Sequence, residues 1–200
     1  RGLGDVYKRQ SFKCDFIYWI NTELLSSSVN KIYKRGLITE LYPENMSFGE
    51  DLVFVLNYLK HCNRISFTQE PLYQHEVYNS VSLTHSFSPA RFSNLEDIQK
   101  AILDFADDKN KINPRIYDKY VKDALHLTRM WYKNKNVPYI RKKEIIGEWL
   151  KQSYIRKLKI SDYQLHWKDR MLLHCLHMSC FIGINLIVNG KEYINSLSKE

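Results

Sequence analysis

Between Phe48 and His61 the chain sets Leu52, Val55, Leu56 and Leu59 at the i, i+3, i+4, i+7 spacing of a helix. Val53, Phe54 and Tyr58 widen that apolar surface nearly all the way round. Such a helix has little to offer water, so it must sit inside a packed body with neighbours on several sides. Ser47 and Glu50 match the S-x-x-E capping box and mark the expected start. Glu50 and Asp51 then fall in the first turn, where the helix N-terminus favours negative charge.

Shorter signals surround this helix. Phe12, Phe16, Ile17, Trp19 and Ile20 suit a short helix within residues 11–22, broken by Ser26-Ser27-Ser28. Val29 to Tyr33 reads as a short buried strand with Gly36 close behind. Arg64 to Thr68 and Leu72 to His75 read as strands around the Pro71 turn, and Asn79 to Pro89 as a polar loop. From Arg91 onward the pattern is helical. Ser93 with Glu96 is a second capping box, opening a helix with Leu95, Ile98, Ile102 and Phe105 inward. Asn113-Pro114 is an N-cap followed by proline at the first helical position. The helix after it presents Tyr117, Tyr120, Val121, Ala124, Leu125 and Thr128 and reaches Trp131. Pro138 opens another carrying Ile145, Ile146, Trp149 and Leu150, and Ser161 with Gln164 forms a third box. No repeat or low-complexity tract interrupts the series.

Charge is unevenly placed. The net charge is +8 over 200 residues. Residues 11–90 hold 6 Lys and Arg against 8 Asp and Glu, residues 91–200 hold 21 against 13, and the first ten supply the remaining +2. The basic half suits solvated helix faces, and also contact with anionic headgroups, a diphosphate or nucleic acid. Met171 to Val188 carries no formal charge, but His174, His177, Ser179 and Asn185 interrupt it and Gly183 lies within. This favours a core helix or an interfacial amphipathic helix over a span, with Lys168 and Arg170 just before it. The four cysteines, Cys14, Cys62, Cys175 and Cys180, show no C-x-x-C or zinc spacing, which suits a reducing cytoplasm. Cys62 falls on the helical apolar pattern and is expected as a buried thiol. Residues 1–10 lack apolar periodicity and resemble a translated adapter sequence, so they are expected to lie outside the fold.

One chemistry that suits an acid such as Asp51 is general-base catalysis, in which a carboxylate takes the proton of a hydroxyl that becomes acidic as its oxygen forms a new bond. A carboxylate on the first turn of a buried helix has the rigid support this requires. Glu50 also has a plain structural role in the capping box, and Asp51 one as a first-turn acid.

Phe48-Gly49-Glu50-Asp51-Leu52 resembles the Glu-Asp motif of family-2 glycosyltransferases with the GT-A fold. Asn30-Lys31-Ile32-Tyr33-Lys34-Arg35 resembles the N-K-[LI]-Y-[KR]-R segment that precedes that motif in many bacterial members, and Pro71-Leu72-Tyr73 resembles the strand after it. The likeness covers roughly residues 11–90. It implies that Asp51 is the general base, with Glu50 orienting the loop or contacting acceptor hydroxyls. Asn30 and Lys31 would lie near the acceptor cleft, Asn30 hydrogen-bonding the loop that presents the acids. His75 would touch the donor diphosphate or ligate the metal, although a lone His on a strand also has a plain structural reading. It further implies a divalent cation, Mn or Mg, on the diphosphate, but the family's Asp-x-Asp is absent from this chain, and Asp107-Asp108 reads as a helix end.

The expected architecture is therefore an α/β fragment, the end of a GT-A nucleotide-diphospho-sugar transferase domain over 11–90, followed by a mainly α-helical basic extension over 91–200. Its expected partners are a nucleotide-diphosphate sugar, a glycan or lipid-linked glycan acceptor, and peripheral contact at the inner face of the cytoplasmic membrane. The rival is a helical module without catalysis, bound to a membrane or to nucleic acid. The basic half with interleaved Tyr and Trp suits nucleic acid, but those aromatics fall on inward stripes, which predicts core packing in place of base stacking.

Overall fold

The computed structural model describes residues 6–68, 70, 73, 74, 88–106 and 113–197, with the backbone alone from 191 onward. In chain order these form β1 (Val6–Lys8), α1 (Arg9–Cys14), α2 (Phe16–Asn21), α3 (Glu50–Lys60), β2 (Arg64–Ser66) and α4 (Ala90–Ala106), then α5 (Asp118–Lys133), α6 (Tyr139–Gln152), α7 (Trp167–His177) and α8 (Phe181–Leu197). The described residues are thus mainly helical, with one two-stranded ribbon, and they assemble no GT-A sheet. Packing does not divide the chain at 90/91. One unit takes the described residues before 87 together with those of 97–119, and the other takes 88–96 and those from 120. Helix α4 contributes to both.

The first unit is built on α3. Leu52, Phe54, Val55, Leu56 and Leu59 are all buried, as the all-round apolar pattern requires. Phe12, Phe16 and Ile20 from α1 and α2 and Ile98, Ile102 and Phe105 from α4 complete the core. Cys62 is buried there as a free thiol, in contact with Tyr58 O at 3.6 Å. The expected capping box does not open α3. The N-cap is Gly49 at φ 76°, which leaves Ser47 two residues too early and puts Glu50 at the first helical position. A side chain on Gly49 would be excluded twice over: by the left-handed backbone, and by Ile98, whose Cδ1 lies 2.1 Å from the point a Cβ would occupy.

Two further expectations for this unit are corrected. Val29 to Tyr33 is not a strand, and Ile32 is 94% exposed, because Lys31 and Tyr33 turn back onto their own loop. β2 instead pairs antiparallel with β1, Tyr7 opposite Ile65. Residues 6–10 therefore take part in the fold. Periodicity was no guide there, because a three-residue strand needs only a ladder and one anchoring ring. Tyr7 meets Trp19 and Phe67 edge-on, with ring centroids 5.8 and 5.5 Å apart. The expected strand over 72–75 and the loop over 79–89 lie largely outside the described residues, as do Asp107 and Asp108.

Among the described residues of this unit, Trp19 Nε1, Asn21 Oδ1 and both amide atoms of Gln99 are buried without a hydrogen-bond partner. Gln99, on α4, is fully buried. Gln99→Leu is expected to raise stability by about 1–2 kcal/mol, because an unsatisfied buried amide carries a desolvation cost that a leucine does not. Urea titration checks this, and a lowered midpoint would show that the amide is satisfied in solution.

The second unit is helical throughout. Tyr120, Val121, Ala124, Leu125, Thr128 and Trp131 of α5 are buried, as are Ile146, Trp149 and Leu150 of α6, in agreement with the expected stripes. Asn113 caps as expected, its Oδ1 accepting from Arg115 N at 3.0 Å and opening the 3-10 turn Pro114–Tyr117 that leads into α5. The other two capping boxes are not caps. Helix α4 begins at Ala90, whose N–H donates to Ser88 Oγ at 3.3 Å, and Ser93 lies inside the helix, bonded back to Ala90 O. Ser161 lies in a separate 3-10 turn, Ile160–Asp162, while α7 is capped by His166. The Glu96 carboxylate is drawn inward. Its Oε1 accepts from Tyr120 OH at 2.5 Å and Trp149 Nε1 at 2.7 Å, and its Oε2 from Tyr154 N at 3.2 Å.

The uncharged run 171–188 is not one helix. It breaks between α7 and α8, where Ser179 turns left-handed at φ 53°. Among the described residues no helix is long and apolar enough to cross a membrane.

Candidate functional site

Asp51 stands in the first turn of α3, held by the core beneath that helix. Its carboxylate is half-buried and bridges to the loop after α2, with Oδ1 accepting from Ser28 Oγ at 2.8 Å and Oδ2 from Ser28 N at 3.3 Å. Ser28 is buried, and its carbonyl accepts from Tyr33 OH at 2.9 Å. The Tyr33 ring packs edge-on against Phe54 and Tyr58, at 5.3 and 4.9 Å between centroids. Burial, then Tyr42 and Asp51, push the Tyr33 phenol above its ordinary pKa, so it stays a neutral donor. Tyr58 OH in turn accepts from Lys34 N at 2.8 Å. Serine, aspartate and tyrosine thus fasten an irregular loop across the mouth of α3.

Lys31 completes the cluster. Its ammonium donates to Leu24 O at 2.6 Å, to Asn30 Oδ1 at 2.7 Å and to Ser27 O. Burial lowers its pKa to about 8, and the nearby Asp51 carboxylate opposes that shift. Near pH 8 this amine is therefore divided between its charged and neutral forms.

Of the five residues expected at the site, the structure groups four. Asp51 and Lys31 are electrostatic neighbours. Asn30 reaches the group through Lys31, its expected bond to the loop that presents the acids is not made among the described residues, and the bonds to Asp51 come from Ser28. Glu50 lies beside Asp51 in the first turn, half-buried, its carboxylate without a hydrogen bond among the described residues. His75 lies outside the described residues. Sequence reasoning missed Ser28, which looked like one of three loop serines; the bond it makes spans 23 positions and leaves no local signal.

No protein-family model matches this chain, and neither a curated protein nor a solved structure does. The cluster's chemistry therefore rests on its own geometry: a fixed carboxylate on a rigid helix end, one oxygen held by a hydroxyl and the other by a backbone amide, beside a titratable amine. Among the described residues no three His, Cys, Asp or Glu side chains come together as a metal donor set, so the cation implied by the family resemblance has no ligands to assign here.

Proposed function

We propose that this chain is the acceptor-side part of an inverting family-2 glycosyltransferase, with Asp51 as its general base. The observation that carries this reading is the placement of Asp51: a half-buried carboxylate on the first turn of a core helix, oriented through both oxygens by Ser28. In the proposed step an acceptor hydroxyl gives its proton to Asp51, and its oxygen bonds to the anomeric carbon. The bond from that carbon to the nucleoside diphosphate breaks on the opposite face. In this reading Glu50 orients the loop or contacts acceptor hydroxyls, and Lys31 holds the Ser27–Asn30 loop against the acid. The donor is a nucleotide-diphosphate sugar and the acceptor a glycan or lipid-linked glycan, and a donor-binding Asp-x-Asp would have to come from sequence other than that of this chain. The direct test is nucleoside diphosphate release by the chain extended with its genomic upstream sequence. Absence of turnover with any common donor would end the proposal.

Attachment at the inner membrane face is a separable part of the reading. Trp167, Met171, Met178, Ile182 and Leu186 are all exposed on α7, α8 and the turn between them, with Lys168 and Arg170 also exposed on α7. Co-flotation with vesicles containing phosphatidylserine is expected, weakening as salt rises, and lost in Trp167→Ser with Ile182→Ser. Equal recovery with and without vesicles would remove membrane contact and leave the transfer chemistry untouched.

A further inference from the structure

Cys175 and Cys180 meet where α7 ends. Two backbone bonds close that helix: Cys180 N–H to Cys175 O at 2.7 Å, and Ser179 N–H to Leu176 O at 3.1 Å. With Ser179 left-handed, this is the Schellman closure, in which the side chains of the residues at the two ends of the outer bond come together. Here both are cysteines. Covalent geometry on either side of the outer bond keeps their Cα atoms within about 6.6 Å, inside the span that a disulfide bridges.

The following helix leaves room for the sulfurs. A Cβ on Gly183 would lie 2.7 Å from Cys175 Sγ and 3.1 Å from Cys180 Sγ, so both sulfurs crowd the space its missing side chain leaves. Both are free thiols, Cys175 partly buried and Cys180 exposed. Burial, and then the neighbouring Cys180, raise the Cys175 pKa, and Cys180 is the one of the two exposed to a reagent from solvent.

We infer that Cys175 and Cys180 form a reversible redox site that exchanges with low-molecular-weight disulfides and closes into a Cys175–Cys180 bond. Cys180, as thiolate, attacks one sulfur of the reagent; the reagent's S–S bond breaks and its first thiolate leaves and takes up a proton. Cys175 then loses its proton to solvent and attacks Cys180 Sγ. The mixed bond breaks, and the second reagent thiol departs. Two protein thiols lose two electrons, and the reagent disulfide becomes two thiols. The product staples the left-handed turn between α7 and α8. Nothing in this inference depends on the glycosyltransferase proposal.

The test uses the full chain carrying Cys14→Ser and Cys62→Ala, equilibrated in glutathione buffers of graded ratio, quenched in acid and read by mass. The expected product is a species lighter by two hydrogens, localised to the single tryptic peptide 171–191. Its equilibrium constant against glutathione should be at least about tenfold larger in native buffer than in denaturing guanidinium chloride, since the fold holds the sulfurs together. Stable glutathione adducts on both cysteines without the closed form would overturn the inference, as would equal constants in the two solvents. If Cys62→Ala disturbs the helical spectrum, the Cys14→Ser chain gives the native-buffer reading by peptide mapping, with the same outcomes.

Discussion

Asp51→Asn is expected to lower turnover of the upstream-extended chain by about 10²–10⁴-fold, the range for losing a positioned general base. Donor affinity should change little, because the proposed base meets the acceptor. Asparagine keeps the shape of the side chain and one oxygen to accept from Ser28, so the loop stays fastened while the anion is lost. The paired variant Ser28→Ala does the reverse. It keeps the carboxylate and the backbone amide bond but removes the 2.8 Å hydroxyl contact. A general base predicts that Asp51→Asn is far the more damaging of the two in kcat, with near-parental urea midpoints in both. If the two variants lose turnover equally, or if Asp51→Asn lowers donor binding, turnover and midpoint together, Asp51 is a latch for the Ser28 loop and not a base.

Glu96→Ala is expected to cost roughly 2–4 kcal/mol of stability, because it strands several buried donors at once. The Trp149 indole N–H and the Tyr154 amide lose the acceptor they are bonded to, and Tyr120 OH keeps only Ser153 Oγ at 2.7 Å. The carboxylate's environment also gives a pH signature. Burial raises the Glu96 pKa, although bonds from Tyr120, Trp149, Tyr154 and Ser153 pull it back. A carboxyl raised in the folded state favours folding most when protonated. Its contribution is therefore full below the ordinary value of 4.5 and is lost as pH rises through the raised folded value. Urea midpoints measured from pH 4 upward should show this decline in the parent chain and a flatter profile in Glu96→Gln. A parent profile that rises across that range would refute the assigned direction.

The capping boxes show why some local motifs misled. Ser47 with Glu50, Ser93 with Glu96 and Ser161 with Gln164 all match the pattern, but α3, α4 and α7 each start elsewhere. A reciprocal cap contributes about 1 kcal/mol, a small term beside the burial of a core helix. For Glu96, three donors brought together by α5, α6 and the turn after α6 outweigh a single backbone amide. Asn113-Pro114 did cap, because asparagine followed by proline sets both the acceptor and the backbone angle within adjacent residues.

By itself the sequence determined what contiguous residues can encode: the buried all-round helix α3, the inward stripes of α4, α5 and α6, the buried Cys62, and the two acids in the first turn of α3. Tertiary structure alone decided which distant groups meet. It bound Ser28 to Asp51, took Glu96 from its cap, paired Tyr7 with Ile65, and split the uncharged run 171–188 into two helices. Apolar periodicity is a property of one helix and can be read along the chain. A hydrogen bond across 23 positions has no period, and its partner is chosen only when the backbone folds and places it.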